Sequence, residues 1–105
     1  MFSHKKALII LILAMLLSAC SSIMLPGPVT AAQKMLALTL GVQQNQVEVG
    51  SYEVKEWTDS CMGAAKEGEM CAQVITDGFK VTMRAKGKYY EVHANQDGSL
   101  IKILP

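Results

Sequence analysis

Apolar residues are concentrated near the start of the chain, where Ala7 to Leu17 form an uninterrupted run of 11. The basic residues Lys5 and Lys6 come just before this run, and the small residues Ser18 and Ala19 follow it. As a helix the run would span about 16 Å, roughly half of the hydrocarbon core of a bilayer, which disfavours a permanent transmembrane helix. A charged head, a short apolar core and a small-residue end are typical of a secretory signal. We therefore expect residues 1–19 to be a signal peptide.

A helical pattern of apolar positions follows at residues 31–40. Its apolar stripe consists of Ala32, Met35, Leu36, Thr39 and Leu40. Thr30 and Gln33 have the spacing of a capping box at the N-terminus, and Gly41 occupies the position that commonly ends a helix. About ten residues are too few for a helix that is stable alone, so this helix is expected to pack on a sheet.

Alternating positions predict strands in the rest of the chain. Residues 47–57 alternate with a change of phase at Gly50, which predicts a strand with a bulge. Residues 72–76 are expected to be extended, with a turn at Asp77-Gly78. Residues 79–86 have the alternating pattern of an amphipathic strand. Gly87 is expected to turn the chain after it. Residues 89–94 and 100–104 are the last predicted strands. The dry face of the amphipathic strand comprises Phe79, Val81, Met83 and Ala85.

These elements predict an α+β fold, with one N-terminal helix packed on an antiparallel sheet of about four strands. Residues 20–28 contain two prolines and a glycine and are expected to be a flexible tether, which leaves residues 29–105 as one small, monomeric domain. Without residues 1–19 the chain has 8 basic and 9 acidic side chains, a net charge of −1. Nucleic acid is therefore not an expected partner, because binding it requires a basic surplus.

Cys61 and Cys71 enclose a polar, glycine-rich loop. In an exported chain these cysteines are expected to form a structural disulfide that holds a surface loop, with Glu67 and Glu69 solvated. The alternative is a copper site, because the neighbouring Met62 and Met70 would add two thioethers to two thiolates, and these are soft ligands suited to Cu(I).

No residue pattern indicates catalysis. His93 is the only histidine after the predicted signal peptide, residues 1–19, and is expected to be exposed to solvent on a strand. A role as a metal ligand or as an acid or base is the alternative. The serines lie in no recognisable nucleophile motif. We therefore expect a non-enzymatic domain without a cofactor.

Four residues are candidates for contacting a partner: Trp57, Asp59, Tyr89 and Tyr90. Aromatic residues are favoured at binding surfaces, although Trp57 is also a candidate to anchor a loop or the core. A basic strip formed by Lys80, Arg84, Lys86 and Lys88 is expected to be a solvated strand face. Weak attraction to anionic lipid or cell-wall polymer is its alternative role.

The sequence Leu17-Ser18-Ala19-Cys20 resembles the bacterial lipoprotein box. The resemblance implies that the leader is removed before Cys20 and that Cys20 is lipidated, which would anchor the domain to a membrane on the extracytoplasmic side. Ser21 follows the cysteine where an aspartate would imply inner-membrane retention, so the outer membrane is favoured if the cell has one. An ordinary signal peptide that leaves Cys20 as a free thiol is the alternative.

Residues 31–103 resemble a group of small secreted domains of bacteria and archaea. The shared motifs are Trp-x-Asp-x-Cys-x-Gly at residues 57–63, Gly-Glu-x-Cys-Ala-x-Val at residues 68–74, and a turn with an aromatic residue at 77–79. This resemblance implies an architecture and no reaction.

More loosely, Tyr-x-Val at residues 90–92 and Asp-Gly-x-Leu at residues 97–100, following a helix and strands, are similar to PepSY-type domains. That resemblance implies binding or inhibition of peptidases, with the cysteine loop as a departure from the pattern. The leading hypothesis is therefore an envelope lipoprotein that binds a protein or peptide.

Overall fold

The structure is a computed structural model that describes residues 24–105, so the predicted signal peptide and Cys20 lie outside the described residues. Helix α1 (Gly27–Leu40) is followed by a 3₁₀ helix (Gln44–Gln46) and by strands β1 (Glu48–Trp57), β2 (Thr76–Ala85), β3 (Lys88–Asn95) and β4 (Ile101–Ile103). The strands form one antiparallel sheet in the order β1-β2-β3-β4. The predicted α+β fold is confirmed. Within residues 24–105, no helix has the length and apolar character needed to cross a membrane.

Helix α1 begins four residues before the predicted start. Pro28 lies in its first turn, where the missing N–H costs no helical hydrogen bond. The predicted cap at Thr30 is wrong, because Thr30 lies inside the helix and its hydroxyl faces the Pro26 carbonyl. Gln33 donates from its side-chain amide to the carbonyl of Val47 at 2.8 Å, so it ties the helix to the start of β1. The helix also takes in the last two residues of the predicted tether.

The C-terminus of α1 agrees with the sequence prediction. Gly41 adopts a left-handed conformation with φ of 69°. Its N–H donates to the carbonyl of Leu38, and the N–H of Val42 donates to that of Ala37, at 3.3 and 3.0 Å. This pair of bonds is a Schellman motif, which satisfies carbonyls that the end of the helix leaves free.

The main core lies between α1 and one face of the sheet. Val81, Met83 and Ala85 of β2 are buried there, which confirms the predicted dry face, and Phe79 is half-buried beside them. The other buried members of this core are Val29, Ala32, Leu36, Ala37, Val47, Val92 and Ala94. Burial of these side chains supplies the free energy that holds the short helix on the sheet.

The bulge in β1 is confirmed, since the pairing with β2 shifts between Val49 and Ser51. The predicted turn at Asp77-Gly78 is wrong, because both residues lie within β2, and residues 72–75 are not a strand. At Gly78 the sheet backbones approach so closely that a Cβ atom would lie 2.0 Å from the carbonyl oxygen of Ala94. Glycine is therefore placed here by contact between neighbouring strands and not by a turn.

Candidate functional site

The second face of the sheet is covered at one end by residues 58–75, which join β1 to β2 and are called the disulfide loop below. Its buried members Cys61 and Met62 cover this end of the sheet together with Trp57, the last residue of β1. Cross-strand pairing places Lys80, His93 and Lys102 side by side on this face. The loop therefore makes a second, smaller layer of buried residues opposite α1.

The predicted disulfide between Cys61 and Cys71 is present, with the two Cα atoms 5.6 Å apart. Asp59 organises the backbone just before and after Cys61: its Oδ1 accepts hydrogen bonds from the N–H groups of Cys61 and Gly63 at 2.9 and 3.3 Å. These bonds accompany left-handed backbone at Met62 and Gly63, with φ of 55° and 67°. Asp59 thus shapes the loop from within, a structural role that the sequence does not predict for it.

His93 is buried, so the expectation of a solvated histidine is wrong. Its Nδ1 lies 2.7 Å from the carbonyl oxygen of Met62, and its Nε2 lies 2.9 Å from Oε2 of Glu91. The indole ring of Trp57 packs against the imidazole with 4.8 Å between the ring centres. A carbonyl and a carboxylate both accept hydrogen bonds, so the ring satisfies both when each nitrogen carries a proton. His93 therefore pins the disulfide loop to the sheet.

Glu91 connects this histidine to a basic residue. Its second carboxylate oxygen lies 3.3 Å from Nζ of Lys80. Burial tends to raise the pKa of Glu91, but hydrogen bonds from His93 and Lys80 outweigh this effect and leave the pKa below its usual value. The row of Lys80, Glu91 and His93 is thus a linked set of charge-assisted contacts on the loop-covered face.

A second polar contact holds the disulfide loop to the sheet at Glu69. Lys102 of β4 is buried and forms an ion pair with Glu69. Hydrogen bonds from the Lys102 side chain and from the backbone N–H of Lys66 lower the pKa of Glu69. Glu67 and Glu69 are both exposed, as expected, but Glu69 also forms an ion pair that the sequence does not predict. Sequence reasoning missed this pair because its members are 33 positions apart.

The candidate binding residues are not brought together. Trp57 is only 7% exposed and packs on His93, and Tyr90 packs against the main core. Tyr89 is 74% exposed, with the guanidinium of Arg84 over its ring at 5.7 Å. Among the four candidates, Tyr89 alone presents its ring to solvent.

The basic strip is divided among three environments. Lys80 is engaged by Glu91, and Nζ of Lys86 donates to the carbonyl of Leu40 at 3.1 Å, at the C-terminus of α1. Arg84 and Lys88 are exposed. The predicted cationic face therefore consists partly of residues that stabilise the fold.

The proposed soft-metal ligands are also separated. Donor atoms of Asp59, Cys61 and Cys71 lie within 4.8 Å of one another, but the disulfide joins the two sulfurs and so leaves no thiolate. Met62 is buried beneath the loop, while Met70 is 95% exposed. Copper binding by the two cysteines as thiolates would require reduction of the disulfide.

A groove of about 890 Å³ lies along β4. One wall is formed by Met35 and Thr39 of α1, and the other by residues 63–67 of the disulfide loop. Residues 101–105 lie between these walls, and β4 is an edge strand of the sheet. The sequence does not predict this groove, because its lining comes from three distant segments that carry no shared motif.

Within residues 24–105 no strand pairs with the outer edge of β4, which leaves free main-chain groups at defined positions. Leu100 accepts a bond from the N–H of Asn95, and Leu104 donates to the carbonyl of Glu91, at 3.1 and 3.0 Å. Main-chain bonding alternates along an antiparallel pair, so the even-numbered residues 100, 102 and 104 face β3. The N–H and C=O groups of Ile101 and Ile103 therefore point outward, into the groove.

Comparisons with known proteins place the chain in a family. No curated protein and no solved structure gives a significant match. One family model, described as a domain of unknown function, matches residues 29–103, which comprise α1, the whole sheet and the disulfide loop. The chain therefore belongs to the family DUF8738.

Proposed function

We propose that this protein is a lipid-anchored lipoprotein of the bacterial cell envelope whose domain binds an extended segment of a protein or peptide without catalysing a reaction. The observation that carries the binding proposal is the edge of β4 between two walls of the groove, an edge that no strand of the described residues pairs with. An edge strand with free main-chain groups can accept an additional strand, which is a common mode of peptide recognition.

The two walls would give such a peptide a preferred side-chain pattern. On the helix side, Met35 lies beside Ile101 and Ile103, whose side chains also pack toward the main core. On the other side, the loop offers the small Ala64 and Ala65 and the charged Lys66 and Glu67. Successive residues of a bound strand face opposite sides, so apolar residues should alternate with small or charged ones.

The loop wall is held in position before any peptide binds. The disulfide closes the loop, Lys102 pairs with Glu69, and His93 holds the carbonyl of Met62. A wall that is already ordered loses little conformational entropy on binding. This arrangement supports a binding role for the groove.

The anchoring part of the proposal rests on the leader and the lipoprotein box at residues 17–20. Six residues separate Cys20 from the start of α1 at Gly27. Such a segment reaches at most about 25 Å, so a lipidated Cys20 would keep the domain near the membrane surface. The expected partner is therefore another envelope component, and the PepSY resemblance favours a peptidase among the candidates.

Site-specific photocrosslinking in the cells that make the protein tests the binding proposal. A photoreactive phenylalanine analogue replaces Thr39, which lines the groove, or Lys34, which is also exposed on α1 but lies outside the groove. We expect a discrete crosslinked partner from position 39 and none from position 34. Equal crosslinking at both positions, or none at position 39, would contradict the proposal.

A further inference from the structure

The opposite edge of the sheet carries an apolar patch that α1 does not cover. Strand β1 is the edge strand there, and Val54 is 79% exposed on it. Tyr52 is also exposed, and its ring lies 6.3 Å from that of the half-buried Phe79. Cross-strand pairing puts these three side chains on the helix side of the sheet. A ten-residue edge strand with such a patch favours association with another strand.

The direction of the free main-chain groups on β1 follows from the sheet itself. The main chains of Glu91 and Asn95 bond to β4, so the main-chain groups of the residues between them alternate, and those of Val92 face β2. Val92 is paired with Val81, so the main-chain groups of Val81 face β3 and those of Lys80 face β1. Lys80 is paired with Glu53, so the main-chain groups of Glu53 face β2. The N–H and C=O groups of Tyr52, Val54 and Glu56 consequently point away from the sheet.

The part of β1 that pairs with β2 without interruption is centred on one residue. The bulge interrupts pairing between Val49 and Ser51, which leaves Ser51 to Trp57 as the uninterrupted segment. Val54 is the middle residue of these seven. A symmetric antiparallel pairing of two such segments would therefore place its two-fold axis at Val54.

We propose that two copies of this chain associate through antiparallel pairing of their β1 edges, with Val54 of one copy opposite Val54 of the other. In this register Tyr52 faces Glu56 of the second copy, so residues with outward main-chain groups are paired throughout. Glu53 then lies opposite Lys55 of the second copy, and the two-fold axis produces this pair twice. The apolar patches of both copies meet on the helix side.

The charges of Glu53 and Lys55 favour this pairing register over the adjacent registers. A shift of two residues in one direction would place Glu53 opposite Glu53, and a shift of two in the other would place Lys55 opposite Lys55. Like charges directly opposite one another destabilise a sheet, whereas opposite charges stabilise it. A shift of one residue would place a residue whose main-chain groups point outward opposite one whose main-chain groups point toward its own β2. The hydrogen bonds between the two copies would then be lost. The β4 grooves remain free at the two outer edges, so this inference is independent of the peptide-binding proposal.

Disulfide trapping in the full-length chain tests the interface. Across the axis the two Cα atoms at position 54 should lie about 5.5 Å apart, within the range for a disulfide. We expect Val54→Cys to form covalent dimers under mild oxidation at least tenfold faster than Leu38→Cys, an exposed position on α1. The unaltered chain measures any background from Cys20. Equal rates at positions 54 and 38 would overturn the proposal.

Charge reversal provides the second test, carried out on the Val54→Cys background. Glu53→Lys and Lys55→Glu should each slow dimer trapping about tenfold, because each places like charges across the interface. The double variant exchanges the two charges and should restore the rate. Thermal unfolding of every variant checks that the domain still folds. Undiminished trapping in both single variants, or a double variant as slow as the singles, would overturn this register.

Discussion

Cys61 and Cys71 are joined across a loop in which Met62 is the one large apolar side chain that is buried, since Met70 is exposed. In the chain-entropy model, closing a loop of about 11 residues contributes about 3 kcal/mol. We expect Cys61→Ser, Cys71→Ser and the double variant to lower the free energy of unfolding by similar amounts near this value. Denaturant unfolding without reductant measures the effect.

Thiol alkylation and mass spectrometry give the control for this prediction. Protein isolated without reductant should have no free thiol at positions 61 and 71. Two free thiols in that material would contradict a structural disulfide and would favour the copper alternative.

Glu91 makes stability depend on pH in a definite direction. Its pKa in the folded chain lies below the ordinary value of 4.5, despite burial, because His93 and Lys80 hydrogen-bond to the charged form. A lowered carboxyl pKa stabilises the fold above the ordinary value, and this contribution disappears as the pH falls through the lowered pKa. We expect Glu91→Gln to lower the free energy of unfolding at pH 7. Between pH 6 and pH 3 the variant should then lose less of its free energy of unfolding than the unaltered chain does. Denaturant unfolding at several pH values provides the measurement.

The matched control is Glu48→Gln, which changes an exposed carboxylate on β1 outside the proposed dimer interface. It should leave the acid-induced loss of stability almost unchanged. If both variants show the same pH dependence as the unaltered chain, the contacts of Glu91 do not contribute to stability as described.

At the scale of the elements, the hairpin of β2 and β3 depends on glycine at position 78. A Cβ atom there would lie 2.0 Å from the backbone oxygen of Ala94, whereas one at Gly50 would meet Thr82 at an ordinary 3.4 Å. We expect Gly78→Ala to lower the free energy of unfolding by about 2–3 kcal/mol, since the strands must separate to admit the methyl group. Gly50→Ala should cost less than about 1 kcal/mol, the size of a β-propensity change. Thermal and denaturant unfolding of the two variants test this difference.

The element boundaries show where local sequence is informative. Gly41 ends α1 as predicted because a left-handed residue is a local requirement that glycine meets without strain. The N-terminus of α1 was predicted wrongly, because Gln33 bonds to β1 instead of capping the helix. Asp77-Gly78 has the composition of a turn, but pairing with β1 and β3 keeps it extended. Tertiary contacts therefore override local preference at both wrongly predicted positions.

For the molecule as a whole, the lipid anchor makes the most direct prediction. Cys20→Ser should abolish incorporation of labelled palmitate and either release the domain from the membrane or leave the precursor uncut. Metabolic labelling followed by membrane fractionation measures both effects. Cys71→Ser, which changes a cysteine far from the leader, should retain the label. Label that persists on the Cys20→Ser protein would contradict lipidation at this residue.

The sequence alone determined the fold class, the bulge at Gly50, the dry face of β2 and the pairing of Cys61 with Cys71. Each of these depends on a local period, a residue with special backbone freedom, or a pair with no competitor among the described cysteines. Such signals are short-range, so they are legible in one sequence.

Only the tertiary structure decided the second layer and the groove. The strand period correctly places His93 on the face opposite the main core. Its burial, however, depends on Met62, 31 positions earlier, and on Trp57. Lys102 is likewise buried and paired with Glu69, 33 positions earlier, and the groove exists only where α1, β4 and the disulfide loop converge. A strand's period tells which side a residue faces but not what covers that side. What covers it is set by contacts between residues that are distant in the chain.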